Sequence, residues 1–119
     1  MRYLLDTNIV ISLVNDELAS PLPEGRYAVS VITELELLSF PKLSVDEEAV
    51  IKSFLSLADR VELTEEVKRE SIRLRKNYRL KLPDAIVAAS AIAINATLVT
   101  NDAKLDGIPE LTVIGLALK

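Results

Sequence analysis

The sequence predicts an α/β fold in three layers, a central, mostly parallel sheet of about four to five short strands flanked by helices. Three observations carry this. Short apolar segments such as RYLLD (2–6) and TLVT (97–100) have the length of strands buried on both faces. Most such segments run into stretches with helical spacing or helix-starting residues, so strands and helices alternate. Half of the 119 residues are apolar and 27% are charged, enough for one core in a single domain over 1–119.

Taken in order, RYLLD reads as the first strand and TNIVISLVND (7–16) as a helix entered directly from it. ELASPLPEGR (17–26), with two Pro and a Gly, is a loop. YAVS (27–30) is a second strand, and VITELELLS (31–39) a helix that Pro41 ends. Ser44 and Glu47 form a capping-box pair that starts a helix over about 45–58. RVEL (60–63) is a third strand. Thr64 caps a helix with Glu65 and Glu66 in its first turn, where the dipole favours acids, and Val67, Ser71, Leu74 and Tyr78 share one face. PDAIVAASAIAINA (83–96) opens on a Pro, is apolar nearly all round, and is expected to be a central buried helix. TLVT, a helical turn within NDAKLDGI (101–108) and a last strand in LTVIGL (111–116) follow.

The chain has no Cys and no His. Disulfides, thiol nucleophiles, serine–histidine catalysis and histidine-ligated metals are therefore excluded. Any chemistry must run on carboxylates, hydroxyls, amides, Lys, Arg and Tyr. No apolar run reaches membrane-spanning length and MRYLLDTN carries an acid too early for a signal peptide, so a cytoplasmic protein without membrane association is expected. The net charge is −4, yet seven of the fourteen basic residues lie between Lys68 and Lys81.

In parallel sheets, ligands gather outside the carboxyl ends of the strands. Asp6 ends the first strand, Ser30 the second, and Asn101 and Asp102 follow a later one. Each acid also has a plainer explanation. Asp6 and Asp102 could be helix N-caps, worth about 1 kcal/mol each, and Asp84 a first-turn acid after Pro83. On a helical wheel Val31, Leu35 and Leu38 cluster on one side, with Glu34 near one edge of that arc and Glu36 beside Ile32 at the other. The wheel does not choose between the two. Grouped at one sheet edge, such acids repel and raise one another's pKa values, a penalty that a hard cation removes. Oxygen-only sites suit Mg²⁺ or Mn²⁺, and two such ions roughly 4 Å apart can stabilise attacking and leaving oxygens in phosphodiester cleavage.

The segments LLDTNIVISLV, SVITELELL, LPDAIVAASAI and LVTNDAKL resemble, in order and spacing, the four signature segments of PIN-domain ribonucleases, above all VapC-like toxins of toxin–antitoxin pairs. The resemblance covers essentially the whole chain. It implies that Asp6, Glu36, Asp84 and Asp102 are the four acids of the site. Glu36 takes the second place because it follows Thr33 by three residues, which makes Glu34 additional. Asp6, Asp84 and Asp102 would hold Mg²⁺ or Mn²⁺, with Glu36 ligating it or orienting a water. Asn8, Ser30 and Thr100 fall where the family places polar supporting groups. Many relatives carry an aromatic or a further acid after the fourth segment; here Leu105 and Asp106 stand there, and Asp106 is read as solvated or capping. The implied reaction is endonucleolytic cleavage of single-stranded RNA leaving a 5′-phosphate. A single-stranded or structured RNA substrate, a homodimer and a small antitoxin partner are implied as well.

Arg73, Lys76, Arg79 and Lys81 are candidates for RNA binding, since the basic run leads directly to Asp84; the alternative is a solvated helix face. Two other functions compete. A receiver or phosphatase would also place Asp at the end of the first strand, but the phosphatase needs a second Asp where Asn8 stands, and a receiver's late Lys has only Lys104 as a candidate. A catalytically degenerate PIN scaffold used for RNA or protein binding is the other.

Overall fold

In the computed structural model, which describes residues 1–119, the chain runs β1 (Arg2–Leu5), α1 (Thr7–Val14), β2 (Arg26–Ser30), α2 (Val31–Leu38) and α3 (Val45–Leu57). It continues through β3 (Asp59–Val61), α4 (Glu65–Tyr78), α5 (Leu82–Ala93), β4 (Thr97–Val99), a 3-10 turn (Ala103–Leu105) and β5 (Val113–Ile114). The strands form one all-parallel sheet in the order β3-β2-β1-β4-β5. Successive residues serve opposite faces, as strand geometry requires. Leu4, Ala28 and Leu98 pack toward α4 and α5, whereas Leu5, Val29 and Val99 pack toward α1 and α3. These two apolar clusters make the three layers. The buried Ala85, Ala88, Ala89 and Ala91 line α5, and small side chains let that helix lie close to the sheet.

The capping signals form as expected. Ser44 Oγ accepts from the Glu47 N–H while Glu47 accepts from the Ser44 N–H, and Thr64 accepts from the Val67 N–H. The expected face of α4 is buried at Val67, Ser71 and Leu74. The wheel for α2 is corrected. Its buried face carries Thr33 and Leu37, both 0% exposed, while Leu35 is 57% exposed and Leu38 37%. Ser30 caps α2 directly at the end of β2, so the strand exit sets the helix's rotation rather than its widest apolar arc. α1 stops at Val14, short of residue 16, where Asp16 turns the chain with φ 55°. No helix is long and apolar enough to cross a membrane.

The strand order decides where a ligand can sit. From β1 the chain builds outward through β2 and β3, then returns to β1's other edge with β4 and β5. The topological switch point therefore lies between β1 and β4, and the crevice opens beyond their carboxyl ends.

Candidate active site

Asp6 leaves β1 at that crevice. Its N–H donates to the Val99 carbonyl at 3.1 Å, extending the β1–β4 pairing. Its Oδ1 accepts from the Ile9 N–H at 2.8 Å, so the residue does cap α1. Its Oδ2 accepts from the Thr100 hydroxyl, and that hydroxyl in turn accepts from the Asp102 N–H at 3.1 Å. One buried threonine thus links the first acid to the turn that bears the fourth. Asp102 also caps the 3-10 turn, accepting from the Lys104 N–H at 3.0 Å. Asn101 pins the same turn from outside. Its side chain donates to the Leu116 carbonyl and accepts from the Leu116 N–H, both at 2.9 Å. A Cβ on Gly115 would come within 2.8 Å of that Asn101 Oδ1, so a side chain there would push Asn101 out of its clasp.

The other two acids are carried by helices. Asp84 stands in the first turn of α5, and no hydrogen bond engages its carboxylate. Glu36 projects from α2, where its Oε1 accepts from Thr7 Oγ1 at 2.6 Å; Thr7 Oγ1 lies 3.1 Å from the buried Thr33 Oγ1. The choice the wheel left open is resolved in space. Glu34 pairs with Arg60 on β3 and turns away, whereas Glu36, Asp6, Asp84 and Asp102 all line one cavity of about 420 Å³. Thr7, Asn8 and Phe40 complete its rim, with Val87 and Leu105 as apolar lining.

The electrostatics follow from this crowding. Burial pushes the Asp6 carboxyl above the usual carboxylate range; the bonds from Thr100 and Ile9 oppose the rise, and the charges of Asp102 and Asp84 add to it. Asp84 is also raised, first by burial and then by Asp102, with Lys104 and Lys81 opposing and Glu36 contributing. The donor set is oxygen-only and strongly anionic, which fits a hard divalent cation. As they stand, however, no three of the acids close into an ion-holding group.

Residues 3–111 match the family model described as PIN domain. The chain belongs to the PIN domain family. No curated protein matches it by sequence. Among solved structures, this PIN domain is similar to a chain of VapBC2 from Rickettsia felis bound to a promoter DNA fragment, with 26% identity and a TM-score of 0.82 over 98% of this chain and 100% of that one. A chain of a toxin–antitoxin complex from Klebsiella pneumoniae is 29% identical, with a TM-score of 0.76 over 94% and 95% of the two chains. A chain of VapBC-1 from nontypeable Haemophilus influenzae shares the fold at 22% identity and a TM-score of 0.77, over 97% and 98%. The α/β fold is thus that of VapC-like proteins.

Within the PIN domain the remaining expected site residues separate. Asn8 lines the cavity, and Thr100 supports it from behind. Ser30 is fully buried, accepts from the Ile32 N–H at 3.1 Å as the cap of α2, and does not line the cavity. Asp106 is exposed at the end of the 3-10 turn, outside the site. The Arg73 guanidinium is engaged by Glu70 and Glu110. Lys76 is exposed on α4, and Arg79 is the left-handed cap after it, with φ 55°. Lys81, at the N-cap of α5, acts on the charge of Asp84.

Three contributors went unread as site residues. Thr7 holds Glu36 through a hydrogen bond, and adjacency to Asp6 was its only signal; Asn101, placed at a strand end by the sequence, holds the Asp102 turn. Lys104 follows Asp102 by two residues and shares Lys81's influence on Asp84. Phe40 reaches the cavity from the segment after α2, where nothing in the local pattern marks it.

Proposed function

We propose that this PIN domain is a Mg²⁺- or Mn²⁺-dependent endoribonuclease that cleaves single-stranded RNA, and that it acts in the cytoplasm as the toxin of a toxin–antitoxin pair. The carrying observation is the convergence of Asp6, Glu36, Asp84 and Asp102, from four separate stretches of the chain, on one cavity at the sheet's switch point. The toxin assignment is supported by the likeness to chains of VapBC2 and of the Klebsiella toxin–antitoxin complex, above 25% identity over nearly the full length of each chain. On that likeness the expected partner is a small antitoxin, and the family resemblance adds a homodimer.

Asp6, Asp84 and Asp102 would hold the cation, with Glu36 either ligating it or orienting a water. When bound, the ion supplies Lewis acidity toward a phosphoryl oxygen and lowers the pKa of water. The chain's own residues do the rest. Thr100 fixes the direction of the Asp6 carboxylate, and Thr7 that of Glu36. Lys81 and Lys104 offset the negative field that would otherwise repel a phosphodiester. With no His in the chain, the leaving 3′ oxygen has no imidazole acid and would be stabilised by the metal or protonated from bulk water.

The purified protein should cut single-stranded RNA with Mg²⁺ or Mn²⁺ and stop in EDTA, and Asp84→Asn should be inactive. Cleavage by that variant would sink the assigned site. The alternative reading is a scaffold that binds without cutting. Calorimetric titration with Mn²⁺ separates the two, since the scaffold predicts no binding. Inducible expression in a bacterium should arrest growth, and co-expression of the adjacent small reading frame should relieve it.

A further inference from the structure

The cavity presents an uneven surface to an RNA chain. Its polar rim is mostly acidic, and the only aromatic on it is Phe40. The chain holds five aromatics, and the other four are committed elsewhere. Tyr3 is buried and stacks on Tyr27, with ring centroids 5.7 Å apart. Phe54 packs into the cluster beneath α1 and α3, and the Tyr78 hydroxyl donates to Glu110 at 2.9 Å. Phe40 is 43% exposed, lies in the short connection between α2 and α3, and is followed by Pro41, which restricts its backbone to extended conformations. An exposed aromatic with a restricted backbone on the lining of an anionic cavity has a clear physical use. A base can stack on it without hydrogen-bond readout, and that gain works against the repulsion of its phosphates by the acids.

We propose that Phe40 is the stacking platform for a base flanking the scissile phosphate, and that it selects single-stranded RNA because a duplex base has both faces covered. This rests on the nuclease reading and adds a positioning residue to it. Preference among bases should be shallow, since every base offers a π-face, with purines modestly ahead through their larger rings.

The test pairs wild type, Phe40→Ala and Phe40→Trp with an intact RNA and with RNAs carrying one abasic nucleotide scanned along both sides of the mapped cleavage point. At one flanking position, removal of the base should raise the wild-type KM about ten-fold with little change in kcat. Phe40→Ala should raise KM by a similar factor on intact RNA and add nothing on that abasic RNA. Phe40→Trp should restore the intact-RNA value. Equal losses on intact and abasic RNA would assign Phe40 to packing, and no loss on either would remove it from recognition. If Phe40→Ala leaves cleavage unchanged but abolishes association with the antitoxin, the residue belongs to the protein interface and the proposal falls. If wild type cuts no RNA, the nuclease reading has failed. The same comparison by fluorescence anisotropy then decides stacking alone: a base- and Phe40-dependent affinity keeps it, and equal or absent binding ends it.

Discussion

The two halves of the acidic cavity are built differently. Asp6 and Asp102 come from adjacent parallel strands, and their placement is over-determined by backbone pairing, two helix caps, the Thr100 hydroxyl and the Asn101 clasp. Glu36 and Asp84 are carried by helices, α2 and α5. Glu36 is exposed and held by one hydroxyl, and the half-buried Asp84 has no hydrogen-bond partner. A fixed half thus faces a lightly held half. The lesson concerns where the cost of the site resides. Asp6 has partners that offset part of its desolvation, whereas Asp84 relies only on the nearby charges of Lys104 and Lys81.

This contrast can be broken at graded cost. The largest effect is expected from Asp6→Asn or Asp84→Asn, each reducing RNA cleavage to background in a gel assay. The two variants should differ in stability. Asp84→Asn removes a half-buried charge that no hydrogen bond offsets, so its melting temperature in EDTA at neutral pH should rise above wild type. Asp6→Asn disturbs the Thr100 bond and should gain less. Thr100→Val comes next, because it frees both Asp6 Oδ2 and the Asp102 N–H; kcat/KM should fall about 10–100-fold, with weaker Mn²⁺ binding by calorimetry. Thr7→Val, acting on the lightly held half, should cost about ten-fold or less.

A pH series sharpens the same comparison. Asp6 and Asp84 titrate above the ordinary carboxylate range in the folded state, so folding binds their protons more tightly than unfolding does. The stability they contribute is complete below the unfolded carboxylate pKa and is lost as pH rises through their raised values. Glu47 and Glu110, both lowered, act in the opposite sense, which makes the difference between variant and wild type the proper observable. In EDTA, Asp84→Asn minus wild type should therefore be smallest in acid and grow as pH rises through that window, read by urea denaturation. Saturating Mn²⁺ should narrow the difference by stabilising wild type, through mass action on the folded state. The smallest effect is reserved for Glu34→Gln. It loses only the partly exposed pair with Arg60, so cleavage should be unchanged and stability should fall by about 1 kcal/mol or less.

Much of this was legible in the chain itself. Elements whose signals are local, such as the Ser44–Glu47 capping box and the Thr64 cap, formed as read; the all-round apolar α5 also formed, but it ends at Ala93 rather than 96, where Asn95 turns the chain with φ 53°. The four motif acids met at one cavity because each directly ends a strand or opens or rides on a helix at the same sheet edge. The phase of α2 was not legible. A helical wheel records which residues are apolar, but the direction in which β2 delivers the chain decides which of them turn inward, and here they are Thr33 and Leu37.

By itself, then, the sequence determined the fold class and the absence of His and Cys that leaves only oxygen donors and Lys or Arg to a site, and its resemblance to PIN domains named four candidate acids. Only the tertiary structure paired Glu34 with Arg60, engaged Arg73 with two carboxylates, brought Lys104 as well as Lys81 within reach of Asp84, and placed Phe40 on the cavity's lining. The physical reason is range. Capping, periodicity and composition act within a few residues, whereas the partner of a charged or aromatic side chain is chosen by contacts across the sheet, between segments that no local pattern relates.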